Sequence, residues 1–195
     1  MRYPTKRACV SSIPLGTGAP AYGDRLVFGA LRNGREERRP RTVSASLIGA
    51  REIAERESGL AVVITYRADG SAHASVVNAG IVNHPVSGEP AIGFVVQGRE
   101  RKKLVNLRAR PSSTVVFRSG WDWVAIEGNV DLAGPDDRLG GLTPDAVSRL
   151  FHEIYAAAIG GSPQDWAGSD DVIDKEGHTA VLLRPTRVYS NPNPD

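Results

Sequence analysis

The chain has 195 residues, of which 41% are hydrophobic and 24% are charged. This composition is typical of a soluble globular domain, and no apolar run approaches the ~20 residues that a membrane-spanning helix needs. A single cysteine, Cys9, excludes an intramolecular disulfide and a metal site built from several thiolates of one chain. We therefore expect a cytoplasmic protein without a membrane partner.

The charges are divided unevenly along the chain. Residues 1–42 hold nine Lys or Arg and three acids, whereas residues 43–195 hold fifteen and nineteen. The first segment contains repeated Gly and Pro and no hydrophobic period, so we predict a disordered basic tail over residues 1–42 and one domain over residues 43–195. The tail lacks aromatic interleaving, repeats and an amphipathic face, and we expect no nucleic-acid partner.

The domain begins with a predicted helix and a predicted β-hairpin. Ser44 is placed to cap the helix. Leu60–Tyr66 and Ala72–Val82 are rich in β-branched residues, and the turn signal Asp69-Gly70 separates them. The two segments should form antiparallel strands.

Four further strands and a long helix follow. The strands are predicted at Ala91–Val96, Ser113–Arg118, Asp122–Leu132 and Thr179–Tyr189. Thr143-Pro144 combines a capping hydroxyl with a proline at the first helical position, so the long helix should begin there. Pro185 indicates an edge or a bulge in the last strand. Six strands in mostly consecutive antiparallel order predict a mainly β (α+β) fold, a small six-stranded barrel with flanking helices.

The segment Gln97–Pro111 carries the strongest functional signal. It directly follows the third strand and places six cations around one short predicted helix: Arg99, Arg101, Lys102, Lys103, Arg108 and Arg110. The unpaired N–H groups and the positive dipole end at the start of a helix favour a phosphate. The pattern predicts a docking site for a small anionic cofactor, and the alternative is a solvated, charged surface helix.

Three segments of the chain together carry a family resemblance. They are residues 66–77, which include Arg67-Ala-Asp-Gly70, residues 98–111, and the strand segment Trp123–Val130. The second is the most specific, because it holds four residues at the family's spacing: Lys103, Asn106, Leu107 and Pro111. In this order the segments resemble the split β-barrel flavin and deazaflavin oxidoreductases, the pyridoxamine 5'-phosphate oxidase-like group, and most of all its coenzyme F-420-dependent branch. The resemblance implies an FMN-binding-like split barrel.

The resemblance also implies where a cofactor would bind. In the family the tricyclic ring lies in a groove between two subunits and the ribityl phosphate rests against the basic helix, so a homodimer with a shared cofactor site is expected. Carried over, the phosphate candidates are Lys103 first, then Arg99 and Arg101, with Lys102 beside them. The doubled lysine leaves open which of the two meets the phosphate. The residues implied along the ring are Ser75, Val76, Val77 and Asn78.

Aromatic and histidine residues add weaker signals. Trp121 and Trp123 follow the two-residue period of a strand and are candidates for a wall beside a planar ring, with packing in the core or at a dimer interface as the alternative. His73 lies on the hairpin implied to face the cofactor and is a candidate for contact or proton donation. The four histidines have no metal-ligand spacing, so we assign no metal, and no catalytic residue is evident.

The implied activity is hydride transfer from reduced F-420 to a small electron-poor organic acceptor. F-420 carries a phosphate and an oligoglutamate chain, whereas FMN carries only the phosphate, and Arg108 and Arg110 have no evident partner if the cofactor is FMN. An FMN-dependent oxidase or reductase and a non-catalytic flavin- or heme-binding barrel are the alternatives. Residues 134–143 and 160–177 are expected to shape substrate choice around the ring.

Overall fold

The computed structural model describes residues 45–165 and 176–191. The predicted tail over residues 1–42 and the predicted cap Ser44 lie outside these ranges. In chain order the described elements are α1 (Leu47–Arg56), β1 (Leu60–Tyr66), β2 (Ala72–Asn83), β3 (Pro90–Val96), α2 (Lys102–Ala109), β4 (Ser112–Ser119), β5 (Asp122–Ala133), α3 (Pro144–Ile159) and β6 (Thr179–Ser190).

The six strands form a closed antiparallel barrel. Neighbours pair in the order β1, β2, β3, β6, β5, β4, and β4 pairs again with β1. Val62 of β1, for example, pairs with Val76 of β2 on one side and with Val116 of β4 on the other. Each strand predicted from the sequence is present, with bounds that differ by no more than one residue at either end. The prediction of a mainly β, six-stranded barrel is confirmed.

Alternate residues of the strands fill the barrel. Along β1, Ala61 and Val63 are buried whereas Leu60 and Val62 are exposed, as expected for a strand with one face inward. The large buried side chains of this core include Ile92, Phe94, Phe117, Ile126 and Leu183. Helices α1 and α2 contribute Ile53, Leu104 and Leu107 to the same cluster. Both helices are therefore held to the barrel by their apolar faces.

Helix α3 packs against the outside of the barrel. Its residues Leu150, Phe151 and Ile154 form a second apolar cluster with Val82 of β2 and Leu182 of β6. A side chain at Gly80 of β2 would overlap the backbone of α3 at Ala157. The missing Cβ therefore allows the close approach of helix and strand that positions α3 beside the barrel.

The start of α3 follows the sequence signal. Oγ1 of Thr143 accepts a hydrogen bond from the N–H of Ala146 at 3.3 Å, and Pro144 is the first helical residue. The helix ends before Gly160, which has a φ of 100°. The predicted start at Thr143-Pro144 is confirmed.

The start of α1 corrects the predicted cap. Ser46, not Ser44, precedes the first helical residue in an extended conformation, and its Oγ accepts a hydrogen bond from the N–H of Gly49 at 3.1 Å. The two serines satisfy the same sequence rule. The apolar contacts of Ala50 and Ile53 with the core set the helix start at Leu47, so the nearer serine becomes the cap.

Strand β6 carries the irregularity that Pro185 predicted. The register between β5 and β6 shifts between Glu127 and Gly128, which pair with Arg187 and Pro185. Proline has no backbone N–H to donate, so it is accommodated at a bulge. The bulge prediction is confirmed.

Candidate functional site

A groove of about 720 Å³ opens between four elements of the fold. One wall is the middle of β2, and the floor is the end of β3. The start of α2 forms a charged wall, and α3 closes the opposite side. The lining residues are His73, Val76, Val77, Asn78, Val95, Val96, Gln97, Glu100, Arg101, Lys102, Lys103, Ile154, Tyr155 and Ile159. Its volume lies in the range of about 300–1,000 Å³ that is usual for small-molecule sites.

Three predicted phosphate residues, Arg101, Lys102 and Lys103, line the groove together. Arg101 is the N-cap of α2, and no side chain caps the helix. The N–H groups of the first turn have no intrahelical acceptor, and the helix dipole adds positive potential at this end. The start of α2 therefore combines three cations with backbone donors, an arrangement suited to an anion.

Lys103 is the most constrained of these cations. Its Nζ lies 5.8 Å from the centroid of the buried Phe94 ring. Burial lowers the pKa of Lys103, and the positive charge of Arg101 lowers it further. Among the described residues, no carboxylate forms an ion pair with Lys102 or Lys103. A bound anion would supply the missing negative charge.

The remaining predicted cations of Gln97–Pro111 are absent from the groove lining. Arg99 forms an ion pair with Asp136 at 3.0 Å. Arg108 makes two contacts with Asp137, from Nε to Oδ1 at 3.0 Å and from Nη2 to Oδ2 at 2.7 Å. Arg110 donates to the carbonyl of Ala68 at 3.1 Å. Arg108 and Arg110, which have no evident partner from the sequence if the cofactor is FMN, therefore have acceptors within the chain, in the loop after β5 and in the β1–β2 turn.

The predicted residues of β2 divide between the groove and its surroundings. Val76, Val77 and Asn78 line the groove, whereas Ser75 does not. The side chain of Asn78 also donates to the carbonyl of Ser58 at 2.8 Å, which fixes its amide. His73, the histidine singled out from the sequence, lines the groove as well.

Trp123 lies outside the groove lining. Its ring makes an edge contact with Tyr189, with centroids 5.9 Å apart. Trp121 belongs to the turn before β5 and is exposed. Of the two interpretations of this pair, packing with another barrel residue describes Trp123 better than contact with a ring in the groove.

The sequence did not identify the wall that α3 contributes. Ile154, Tyr155 and Ile159 line the groove, and so does Gln97 at the end of β3. Ile154 and Tyr155 recur at helical spacing with Leu150 and Phe151, and such spacing does not distinguish a core from the wall of a groove. Their partner strand β2 is some 70 residues away in the sequence, which leaves no local signal.

A second cavity of about 1040 Å³ lies between the loop after β5 and the first half of α3. Its lining is mixed: apolar residues such as Leu139, Leu142 and Phe151 lie beside charged ones such as Arg138 and Arg149. The predicted substrate loop 134–143 borders this cavity and is absent from the lining of the groove. Much of the other predicted loop, residues 166–175, lies outside the described ranges.

Within residues 45–165 and 176–191, no helix is long and apolar enough to cross a membrane. The same residues contain no group of three or more potential metal ligands.

Comparison with known proteins identifies the fold. No protein-family model matches the chain, and no curated protein matches it. A pyridoxamine 5'-phosphate oxidase-related, FMN binding protein from Nostoc punctiforme is similar in structure, with a TM-score of 0.53 and 15% identity over 74% of this chain and 80% of that one. The chain has the split β-barrel fold.

Two further solved structures are similar to the same extent. A conserved hypothetical protein from Mycobacterium tuberculosis has a TM-score of 0.52 and 18% identity, over 71% of this chain and 81% of that one. A heme binding protein from Mycobacterium smegmatis has a TM-score of 0.50 and 18% identity, over 76% of this chain and 55% of that one. The resemblance indicated by the sequence is confirmed at the level of the fold.

Unpaired polar atoms in this split barrel test whether the groove fits a flavin-type cofactor. Within the described residues, Nδ1 of His73 and Oγ of Ser75 are buried and have no hydrogen-bond partner. Buried polar atoms are normally paired. The edge of a flavin or deazaflavin ring carries both N–H and C=O groups, which suit the polar imidazole of His73 on the groove wall. With the cations of α2, these residues fit a planar ring bearing a phosphate.

Proposed function

We propose that this split barrel is an oxidoreductase that binds a phosphate-bearing flavin or deazaflavin, with coenzyme F-420 as the first candidate. The observation that carries the proposal is the grouping of Arg101, Lys102 and Lys103 on one groove without carboxylate partners among the described residues. The bound cofactor would supply hydride transfer to a small electron-poor organic acceptor. The protein supplies binding, orientation and electrostatic stabilisation.

The charged end of the groove would hold the phosphate. Arg101 can donate two parallel N–H groups to phosphate oxygens, while Lys102 and Lys103 act as point charges. The free N–H groups in the first turn of α2 add donors that no side chain occupies. Lys103 is the first of the three, because its partly buried charge gains most from an anion.

The apolar part of the groove would hold the ring. Val76 and Val77 of β2 and the exposed Ile159 of α3 offer apolar contacts on opposite sides. Asn78, held by the carbonyl of Ser58, and the imidazole of His73 offer polar contacts at the ring's edge. The groove would thus separate an apolar ring region from a cationic tail region.

The choice between F-420 and FMN depends on how many cations near the groove are not already paired with a carboxylate of the chain and can bind the cofactor tail. Arg101, Lys102 and Lys103 carry more positive charge than one phosphate needs, which favours the longer acidic tail of F-420. FMN is the second candidate, and a specific observation favours it. Arg99 and Arg108 are paired with Asp136 and Asp137 and are not available for an oligoglutamate chain.

A homodimer is part of the proposal, and an exposed apolar strip on β1 and β2 supports it. Val76 is 65% exposed, and its cross-strand partner Val62 and nearby Leu60 are also exposed. Val116 continues the strip onto β4. Contiguous exposed apolar surface marks interaction sites. Because Val76 also lines the groove, a second copy seated on this strip would border the cofactor.

The proposal is tested by titrating the purified protein with F-420 and with FMN in parallel. Binding of either, followed by turnover of the reduced cofactor with an enone or quinone acceptor, supports it. Arg51→Ala, which removes an exposed cation of α1, is the control for the groove variant Lys103→Ala. Heme binding without flavin or deazaflavin binding, or tight cofactor binding without turnover across a varied acceptor panel, would replace the oxidoreductase with a binding protein.

A further inference from the structure

Three side chains form a hydrogen-bonded line that leads from the groove to solvent. Tyr155 of α3 lines the groove. Its hydroxyl lies 3.4 Å from Nδ1 of His178, and Nε2 of His178 lies 2.9 Å from Oε2 of Glu176. We propose that Tyr155 donates the proton that completes reduction of the acceptor, and that His178 and Glu176 return a proton to it from water. This inference rests on the oxidoreductase function proposed above.

The solvent exposure of these side chains shows which end of the hydrogen-bonded line is open to water. The side chain of His178 is 4% exposed, whereas that of Glu176 is 56% exposed. The His178 ring also makes an edge contact with Phe151, with centroids 6.4 Å apart, which limits its rotation. Protons can therefore enter from water at Glu176 and reach the groove at Tyr155 through a ring held between them.

The surroundings of Tyr155 keep its phenol protonated. Burial raises the pKa of Tyr155, and the negative charge of Glu176 raises it further. The other charged or titratable groups that face the groove are His73, Glu100, Arg101, Lys102 and Lys103. A protonated phenol at neutral pH can donate to an anion that forms on the acceptor.

The reaction balances with one hydride and one proton. The acceptor takes a hydride, and with it an electron pair, from the reduced cofactor, and takes the O–H proton of Tyr155. Nδ1 of His178 gives its proton to the phenolate oxygen. The ionised carboxylate of Glu176 takes a proton from hydronium in the solvent and passes it to Nε2 of His178, and Glu176 is then ionised again. The long Tyr155–His178 contact should shorten when substrate is bound.

The first test uses the cofactor-free protein. Tyrosinate absorbance is measured against pH in the wild type and in Glu176→Gln. The same titrations are repeated with Tyr155→Phe added to each protein. Subtracting the absorbance of the protein with Tyr155→Phe from that of the protein without it gives the titration of Tyr155 alone. Loss of the Glu176 charge should move the Tyr155 titration to lower pH. Glu153→Gln, an exposed carboxylate on the same helix, should leave it in place. An unchanged Tyr155 titration in Glu176→Gln would overturn the proposed proton relay through Tyr155, His178 and Glu176.

The second test separates the relay from the function on which it rests. Tyr155→Phe should bind the cofactor as the wild type does and lose about 10²-fold in kcat, the scale of general acid catalysis. His178→Ala should lose activity that added imidazole restores, which a purely structural histidine would not allow. Normal cofactor binding with unchanged kcat in Tyr155→Phe removes the relay alone. Failure of the wild type to bind F-420 or FMN removes the proposed function and the relay together.

Discussion

Asn106 of α2 donates a hydrogen bond from Nδ2 to Oγ1 of Thr65 in β1 at 3.0 Å, and both side chains are buried. Leu104 and Leu107, on either side of Asn106, belong to the barrel core. A polar contact inside an apolar core restricts the helix to one position along the strand. The helix that carries Lys103 is therefore fixed to the barrel, and the groove cations are held in place before any ligand binds.

Replacing Asn106 by alanine should destabilise the fold. The hydroxyl of Thr65 would lose its donor in a buried site, which costs about 1–3 kcal/mol of unfolding free energy. Urea denaturation of Asn106→Ala measures the loss. Asn83→Ala, at the exposed end of β2, is the control and should change stability by less than about 0.5 kcal/mol. Equal losses in the two variants would show that the Asn106–Thr65 contact contributes nothing specific.

Two adjacent aspartates after β5 should differ in their contribution to stability. Asp137, with a side chain 13% exposed, accepts two hydrogen bonds from Arg108, whereas Asp136, 42% exposed, accepts one from Arg99. Asp137→Ala should lower the unfolding free energy by about 1.5–3 kcal/mol, the scale of hydrogen bonds to charged groups. Asp136→Ala should cost less than about 1 kcal/mol, as exposed ion pairs do. Thermal or urea unfolding of the two variants measures these losses. A larger loss in Asp136→Ala than in Asp137→Ala would contradict the structure.

Lys103→Met should stabilise the cofactor-free protein while weakening cofactor binding. The pKa of Lys103 is lowered by burial and then by Arg101, so the folded state disfavours its charge. This cost is present below the lowered pKa and is relieved as pH rises through it toward the lysine value of about 10.4. At neutral pH the melting temperature of Lys103→Met should therefore exceed that of the wild type, and the difference between the two proteins should shrink as pH rises. Arg51→Met is the control, and a lower melting temperature for Lys103→Met would contradict the argument.

A charge placed on the exposed strip of β1 and β2 should prevent dimerisation. Val76→Lys puts an ammonium group where the proposed partner would bury an apolar side chain, and burying an unpaired charge is costly. Sedimentation equilibrium should give a dimer for the wild type and a monomer for Val76→Lys. Ile48→Lys, at an exposed apolar residue of α1, should remain dimeric. A monomeric wild type, or dimers in both variants, would exclude this strip as the interface.

Local patterns were sufficient to predict most of the fold. Runs rich in β-branched residues between turn signals identified the strands, and the Thr143-Pro144 signal identified the start of α3, because both signals are local in the chain. The N-cap of α1 could not be predicted from local sequence alone, since Ser44 and Ser46 satisfy the same rule. The contacts of Ile53 with the core determine which serine precedes the helix. The order of strands around the barrel is set by contacts such as β3 with β6, which are distant in sequence.

The candidate site was predictable only where its residues are adjacent in the chain. Arg101, Lys102 and Lys103 share one helix start, so their grouping is visible in the sequence. The pairing of Arg108 with Asp137 spans 29 residues, and without it the arginine looked free for a cofactor tail. Tyr155 and His178 are 23 residues apart, and the helical spacing of Tyr155 does not distinguish a core position from a groove wall. Side-chain contacts across elements decide these roles.

The central claim is that the start of α2 binds the phosphate of a flavin-type cofactor. The most direct measurement compares dissociation constants for FMN against riboflavin, and for F-420 against its phosphate-free ring compound, in the wild type and in Lys103→Met. The wild type should prefer the phosphate-bearing form of its cofactor by about 100-fold or more, equivalent to about 2.7 kcal/mol. Lys103→Met should lose about tenfold of that preference. Equal affinity for the forms with and without phosphate in the wild type would contradict the account.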